Sequence, residues 1–80
     1  MQVHIHAYAR LKEFLGSKLS LDIPEGATLG DAIAEITRMN PDSREFIPLC
    51  RLAVNRQYVG EDHILKGNEE ILLFPPSSGG

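Results

Sequence analysis

The sequence predicts an α+β fold in which a mixed sheet packs on one main helix. Only residues 28–39 have the apolar spacing of a long amphipathic helix. Before and after this segment, apolar and polar residues alternate over short runs, as in strands with one buried face. The chain has 80 residues, which is enough for one domain, so the helix can bury its apolar side only against the sheet.

The first strand begins at Val3, where strict alternation starts. It assigns Val3, Ile5 and Ala7 to one face and His4, His6 and Tyr8 to the other. The two histidines could contribute to a metal site, but the remaining histidine, His63, is distant in the sequence. We therefore expect the histidines to face solvent and predict no metal site.

A short helix and a second strand follow. The helix is indicated by the spacing of Leu11, Phe14 and Leu15, and Gly16 is suited to end it. In the second strand, apolar residues at 19, 21 and 23 alternate with polar ones. A turn at residues 24–26, Pro-Glu-Gly, ends this strand.

The main helix has a recognisable start and end. Thr28 and Asp31 have the spacing of a capping box, in which each side chain pairs with the other residue's backbone N–H. Asn40 and Pro41 end the helix. The expected core stripe consists of Leu29, Ala32, Ile33, Ile36 and Met39.

The second half of the chain supplies the remaining strands. Residues 41–49 are irregular, with Phe46 and Ile47 expected under the domain, and Cys50 is expected to be a buried structural thiol. Strands are predicted at 52–54, 58–59 and 70–74. If a right-handed crossover places the last strand parallel to the first, the result is a ubiquitin-like β-grasp.

Composition excludes several classes of function. The net charge of −3 and the scattered basic residues argue against a nucleic-acid-binding protein. No apolar run approaches the length of a membrane span, and the N-terminal residues lack the pattern of a secretory signal. We therefore expect a cytoplasmic protein.

The C-terminal residues predict a presented tail. Pro75 and Pro76 must end the last strand, so residues 1–74 form the domain and residues 75–80 a flexible tail. An extended tail of this length reaches about 20 Å. The final glycines, Gly79 and Gly80, lack side chains and could enter a narrow channel. The alternative is an inert terminus, because Gly and Ser are common in linkers.

Several segments of the chain resemble one family. These are Tyr8-Ala9-Arg10-Leu11-Lys12-Glu13, the Thr28-Leu29 helix start, Ala53-Val54-Asn55-Arg56-Gln57-Tyr58-Val59, Asp62-His63, the Leu65, Gly67, Glu69 and Glu70 spacing, and Leu73-Phe74-Pro75-Pro76 before Gly79-Gly80. Together they are similar to the small sulfur-carrier subunit of molybdopterin synthase, the MoaD family of the ubiquitin-like MoaD/ThiS superfamily. The resemblance covers essentially the whole chain, and the C-terminal motif is its most specific part.

The resemblance implies a carrier that is not an enzyme on its own. An adenylating enzyme of the ubiquitin-activating type consumes ATP and leaves AMP transiently on Gly80, with Gly79 beside it. A sulfurtransferase or cysteine desulfurase then supplies sulfur for a C-terminal thiocarboxylate. In a heterotetramer with the large catalytic subunit, the thiocarboxylate donates sulfur to precursor Z in molybdenum cofactor biosynthesis. No permanently bound cofactor, nucleic acid or membrane is implied.

The same resemblance indicates a partner-binding surface. Tyr8, Tyr58 and Phe74 stand where the family has large apolar residues facing its partners, and exposed aromatics commonly anchor interfaces. The resemblance also implies that the tail residues Pro75, Pro76, Ser77 and Ser78 bind in the active site of the large subunit. Alternatively, the three aromatics belong to the core or its rim.

Three other functions are compatible with the sequence. A carrier for thiamine synthesis or tRNA thiolation shares the fold and the Gly-Gly end, although the thiamine type usually lacks the Phe-Pro-Pro run. A ubiquitin-like modifier uses the same adenylated glycine to join protein lysines. A regulatory β-grasp module would bind partners and leave its tail unused.

Overall fold

The structure, a computed structural model, describes residues 1–75 and has a five-stranded mixed sheet. The strands are β1 Gln2–Ala7, β2 Lys18–Asp22, β3 Arg51–Val54, β4 Gln57–Tyr58 and β5 Glu70–Phe74. The helices are α1 Lys12–Leu15 and α2 Leu29–Met39, with 3₁₀ turns at Ala9–Leu11, Pro41–Ser43 and Ile47–Leu49. The 3₁₀ turns at 41–43 and 47–49 lie in the segment predicted to be irregular.

The order of the strands confirms the predicted β-grasp. Across the sheet it is β2-β1-β5-β3-β4, so the first and last strands lie side by side at its centre. β1 and β5 are parallel, with Ala7 opposite Leu73, and each of the other pairs is antiparallel. Because both central strands run in the same direction, both end at the same edge of the domain.

The core lies between one face of the sheet and α2. Val3, Ile5, Ile71 and Leu73 on the central strands are almost completely buried, as alternation predicts. The helix contributes Leu29, Ala32 and Ile36, which lie on one stripe. Ile47 is also buried and Phe46 is half-buried against the core, as predicted.

The start of α2 is held by the predicted capping box. The backbone N–H of Asp31 donates to Thr28 Oγ1 at 3.1 Å, and the N–H of Thr28 donates to Asp31 Oδ2 at 2.9 Å. The next two helix N–H groups, of Leu29 and Gly30, donate to the carbonyls of His63 and Glu61, each at 2.8 Å. The free donors of the first helical turn are therefore satisfied within the domain.

The prediction that Met39 belongs to the core is wrong. Its side chain is 45% exposed, and Ile33 is only half-buried. Met39 lies about 80° around the helix from Leu29, at the edge of the buried stripe. It is also the last residue of α2, where the chain turns away toward Pro41–Ser43.

At the edge of the sheet where β5 begins, the half-buried carboxylate of Glu69 holds two loops together. The amide of Asn55 donates to Glu69 Oε2 at 3.2 Å, and the backbone N–H of Lys66 donates to Glu69 Oε1. Asn55 Oδ1 in turn accepts from the N–H of Glu70 at 3.1 Å. These bonds fix the β3–β4 turn against the start of β5.

No helix formed by residues 1–75 is long and apolar enough to cross a membrane.

Candidate functional site

The rings of Tyr8 and Phe74 form a stacked pair at the edge where the central strands end. Their centroids are 4.8 Å apart and the ring planes differ by 11°. The register places Ala7 opposite Leu73, so the next residues of the two strands are side by side on the face away from α2. Tyr8 is 40% exposed and Phe74 is half-buried, so the pair presents an apolar surface to solvent.

The pair continues into a row of apolar residues on the same face of the sheet. Leu72 lies opposite Ala53, and Ala53 lies opposite Tyr58. Cross-strand partners project to the same side, so these residues share the face of Tyr8 and Phe74. We call this face, defined by Tyr8, Phe74, Leu72, Ala53 and Tyr58, the outer face.

The three predicted anchors are not one cluster. Tyr8 and Phe74 are in contact, whereas Tyr58 is on edge strand β4, three strand spacings from β1. That spacing corresponds to about 14 Å across the sheet. Tyr58 is 68% exposed, so the interpretation of these aromatics as core residues does not hold for it.

Leu72, Ala53 and Arg51 share this face and were missed by sequence reasoning. The run Ile71-Leu72-Leu73-Phe74 is continuously apolar, so alternation does not distinguish the core side from the outer side. Ala53 is 2% exposed although it lies opposite Leu72 and Tyr58, on the outer side of the sheet. Arg51 lies opposite Phe74, which places a cation beside the aromatic pair.

Of the predicted site residues in the tail, the structure describes Pro75. Pro75 is half-buried and directly follows the aromatic pair. Pro76, Ser77, Ser78, Gly79 and Gly80 lie outside the described residues. The described structure therefore locates the root of the tail, at the edge where β5 ends.

The prediction that the strand histidines are solvated is only partly correct. His4 and His6 are half-buried, because neighbouring strands cover them. The His6 side chain is 24% exposed, and its Nε2 lies 3.4 Å from Glu70 Oε1 without hydrogen bonding to any of residues 1–75. His4 Nδ1 is 3.2 Å from Ser20 Oγ. Within the described part of the chain, no three His, Cys, Asp or Glu side chains are grouped to hold a metal ion.

Cys50 is half-buried rather than fully buried. Its Sγ donates to the carbonyl of Phe46 at 3.4 Å. Burial raises the pKa of the Cys50 thiol above its usual value, so the nucleophilic thiolate is disfavoured. This environment suits a structural residue.

The chain is similar in sequence to proteins of one family along almost its whole length. The model of the ThiS family matches residues 5–80. The molybdopterin synthase sulfur carrier subunit of Dictyostelium discoideum is 31% identical, covering 99% of this chain and 96% of the relative. The protein of the same name from Chlamydomonas reinhardtii is 29% identical over all of both chains.

Solved structures have the same fold. The putative molybdopterin converting factor subunit 1 of Pyrococcus furiosus matches with a TM-score of 0.88 and 28% identity, covering 96% of this chain and 99% of the other. SAMP1 of Haloferax volcanii matches with a TM-score of 0.87 and 26% identity over all of both chains. A complex of subunits 1 and 2 of molybdopterin-converting factor from Helicobacter pylori contains a chain that matches with a TM-score of 0.75 and 23% identity, again over all of both chains.

Proposed function

Because this chain belongs to the ThiS family, we propose that it is the sulfur-carrier subunit of a molybdopterin synthase. The observation that carries the proposal is the full-length similarity to relatives bearing that name. The tail motif from Phe74 to Gly80 and the aromatic pair at its root support it. In this function the domain positions the tail, and the chemistry takes place on Gly80.

The proposed reaction begins with activation of the Gly80 carboxylate. A carboxylate oxygen attacks the α-phosphorus of ATP and pyrophosphate leaves, which converts a poor electrophile into an acyl-adenylate. The terminal sulfur of a protein persulfide then attacks the carbonyl carbon and AMP leaves, which forms an acyl disulfide. A second thiol of the sulfur donor attacks the donor's own sulfur in this disulfide, so the thiocarboxylate is released and the donor is left with a disulfide bond. Glycine leaves this carbonyl uncrowded, and Gly79 lets the backbone lie flat in a narrow site. The adenylating enzyme and the sulfur donor supply the catalytic groups.

The resulting thiocarboxylate is the sulfur donor of the synthase. It is ionised near neutral pH and, like a thiolate, is a soft nucleophile. Its sulfur forms a bond to precursor Z in the large subunit, and water then hydrolyses the resulting thioester, which leaves the sulfur on precursor Z and returns Gly80 to the carboxylate form. Because the carboxylate is regenerated, the same chain can be activated again, as a carrier requires.

The outer face is the proposed docking surface for the large subunit. Tyr8 and Phe74 lie at the root of the tail, so contact there sets where the tail enters the partner. Aromatic residues in a partly exposed apolar patch are the usual anchors of interfaces. The Helicobacter pylori complex shows that a protein of the same fold associates with a second subunit.

A protein modifier is the second candidate. Its support is the similarity to SAMP1 of Haloferax volcanii, because structural relatives of that name are called small archaeal modifier proteins. A modifier would pass the adenylated Gly80 to an amine, forming an amide in place of a thiocarboxylate. The two functions therefore share activation and differ in the nucleophile that displaces AMP.

The intact mass of the protein distinguishes these functions. We would incubate the chain with ATP, the adenylating enzyme and a sulfur source, with an identical sample lacking ATP as the control. Replacement of one oxygen by sulfur, mapped to Gly80, is the expected result for a carrier. Heavier protein adducts indicate a modifier, and an unchanged mass with a competent adenylating enzyme contradicts both.

A further inference from the structure

Charged residues are divided unequally between the two ends of the domain. One end, which we call the tail end, is where β1 and β5 finish and where β2 and β3 begin. It also holds α1, the last turns of α2 and the 3₁₀ turns at Pro41–Ser43 and Ile47–Leu49. The opposite end, the far end, holds the residue 24–26 turn, the start of α2, the β3–β4 turn and residues 60–70.

The tail end is positive and the far end is strongly negative. The tail end holds six of the eight basic residues and four of the eleven acidic ones, a net of +2. The far end holds the other two basic residues and seven acidic ones, a net of −5, which together with the tail end gives the total of −3. The tail-end basic residues are Arg10, Lys12, Lys18, Arg38, Arg44 and Arg51.

Most of the tail-end cations are available to a partner. Arg38 pairs with Glu35, but the other five form no ion pair with any side chain of residues 1–75. Arg51 lies opposite Phe74, and Lys18 lies opposite His6, so both are on the outer face and both are exposed. The guanidinium carbon of Arg10 is 5.2 Å from the ring centroid of Phe46.

We propose that the tail end is an electrostatic docking surface for an acidic rim on the large subunit, around the channel that receives the tail. The proposal rests on the proposed function, since it assumes that this subunit binds the chain. Opposite net charges at the two ends orient the carrier in the field of an acidic partner with its tail foremost. The surface is continuous with the aromatic pair, so attraction and apolar contact act at the same edge.

The proposal predicts an association rate that depends on where charge is placed. The Lys18→Glu/Arg51→Glu variant changes the tail end, and Arg56→Glu/Lys66→Glu makes the same charge change at the far end. Both take the net charge from −3 to −7. With the large subunit at low ionic strength, we expect association to slow about tenfold or more for the tail-end variant, and less than about twofold for the far-end variant.

Salt provides the second measurement. The difference between the variants should disappear near 1 M salt, where the Debye length falls to about 3 Å. Lys18→Gln/Arg51→Gln should slow association by an intermediate factor, and unfolding midpoints will show that each variant is folded. If the tail-end and far-end Glu variants slow association equally, the effect depends on net charge alone and the proposal is overturned.

Two further outcomes separate this proposal from its premise. If the wild-type carrier is thiocarboxylated and binds the large subunit, but the tail-end variant associates at the wild-type rate, only the docking proposal fails. If the wild-type chain forms no complex with the large subunit, the proposed function fails with it. If the tail-end variant binds an RNA oligonucleotide more weakly than the wild-type chain does, but associates with the large subunit at the wild-type rate, the basic surface would be assigned to nucleic acid instead.

Discussion

Tyr8 directly follows the first strand and Phe74 ends the last, yet their rings stack with centroids 4.8 Å apart. The contact depends on the parallel pairing of β1 with β5, which brings the ends of both strands to one edge. The tail begins at the next residue, Pro75. The aromatic surface next to Pro75 therefore forms only when the first strand pairs with the last.

Phe74→Ala should weaken binding to the large subunit by about 1–3 kcal/mol, the range for an aromatic anchor in an interface. The substitution removes one of the two stacked rings at the root of the tail. Titration calorimetry measures the dissociation constant directly. Ile64→Ala is the control, because Ile64 is 60% exposed but lies beside the start of α2, at the far end. An unchanged constant for Phe74→Ala would contradict the assignment of the outer face.

The stacked rings should also be coupled in stability. A double-mutant cycle with Tyr8→Ala and Phe74→Ala isolates the energy that depends on both rings, because each single variant removes the stack. We expect a coupling of about 0.5–1.5 kcal/mol from urea unfolding. A coupling energy of zero would mean that the two rings contribute to stability independently.

Much of the fold is predictable because burial imposes a strict period on the sequence. In β1, Val3 and Ile5 alternate with half-buried histidines, so the core side could be assigned from the sequence alone. The capping box was equally predictable, since Thr28 and Asp31 contact each other within one helical turn. Each of these interactions is local and depends on a few neighbouring residues.

Features that depend on how separate elements are arranged in space were less predictable. The exposure of Met39 depends on where the chain goes after α2, and the burial of Ala53 depends on its position between β4 and β5. Neither follows from the residues beside it in the sequence. The division of charge between the ends likewise appears only when strand directions are known.

Addition of one residue after Gly80 should abolish thiocarboxylate formation and leave the unfolding midpoint unchanged. The extended chain carries its carboxylate on a different residue, displaced from the position that the adenylating enzyme must reach. Intact mass after incubation with ATP and sulfur measures the first effect, and urea unfolding the second. Ser78→Ala, which keeps the terminal glycines, is the control and should be thiocarboxylated normally. Full activity of the extended chain would exclude the Gly80 mechanism.

Thr28→Ala should lower the free energy of unfolding by about 0.5–2 kcal/mol, the usual cost of losing an N-cap. The variant leaves the Asp31 N–H without its side-chain acceptor at the start of the helix that covers the sheet. Thr37→Ala is a matched control, because Thr37 donates to the carbonyl of Ile33 inside the helix and alanine favours helix more than threonine does. Equal losses for both variants would contradict a specific capping role.

Arg56→Gly should stabilise the domain by up to about 1 kcal/mol. Asn55 and Arg56 form the turn between β3 and β4 with φ angles of 49° and 71°, the pairing of a type I′ hairpin turn. Asparagine tolerates this left-handed region, but arginine is strained there and glycine is not. Arg44→Gly is the opposite case, because the φ of Arg44 is −63° and glycine there only adds freedom to the unfolded chain. Urea unfolding should therefore give changes of opposite sign for the two arginines, and a loss of stability in both would show that the turn is unstrained.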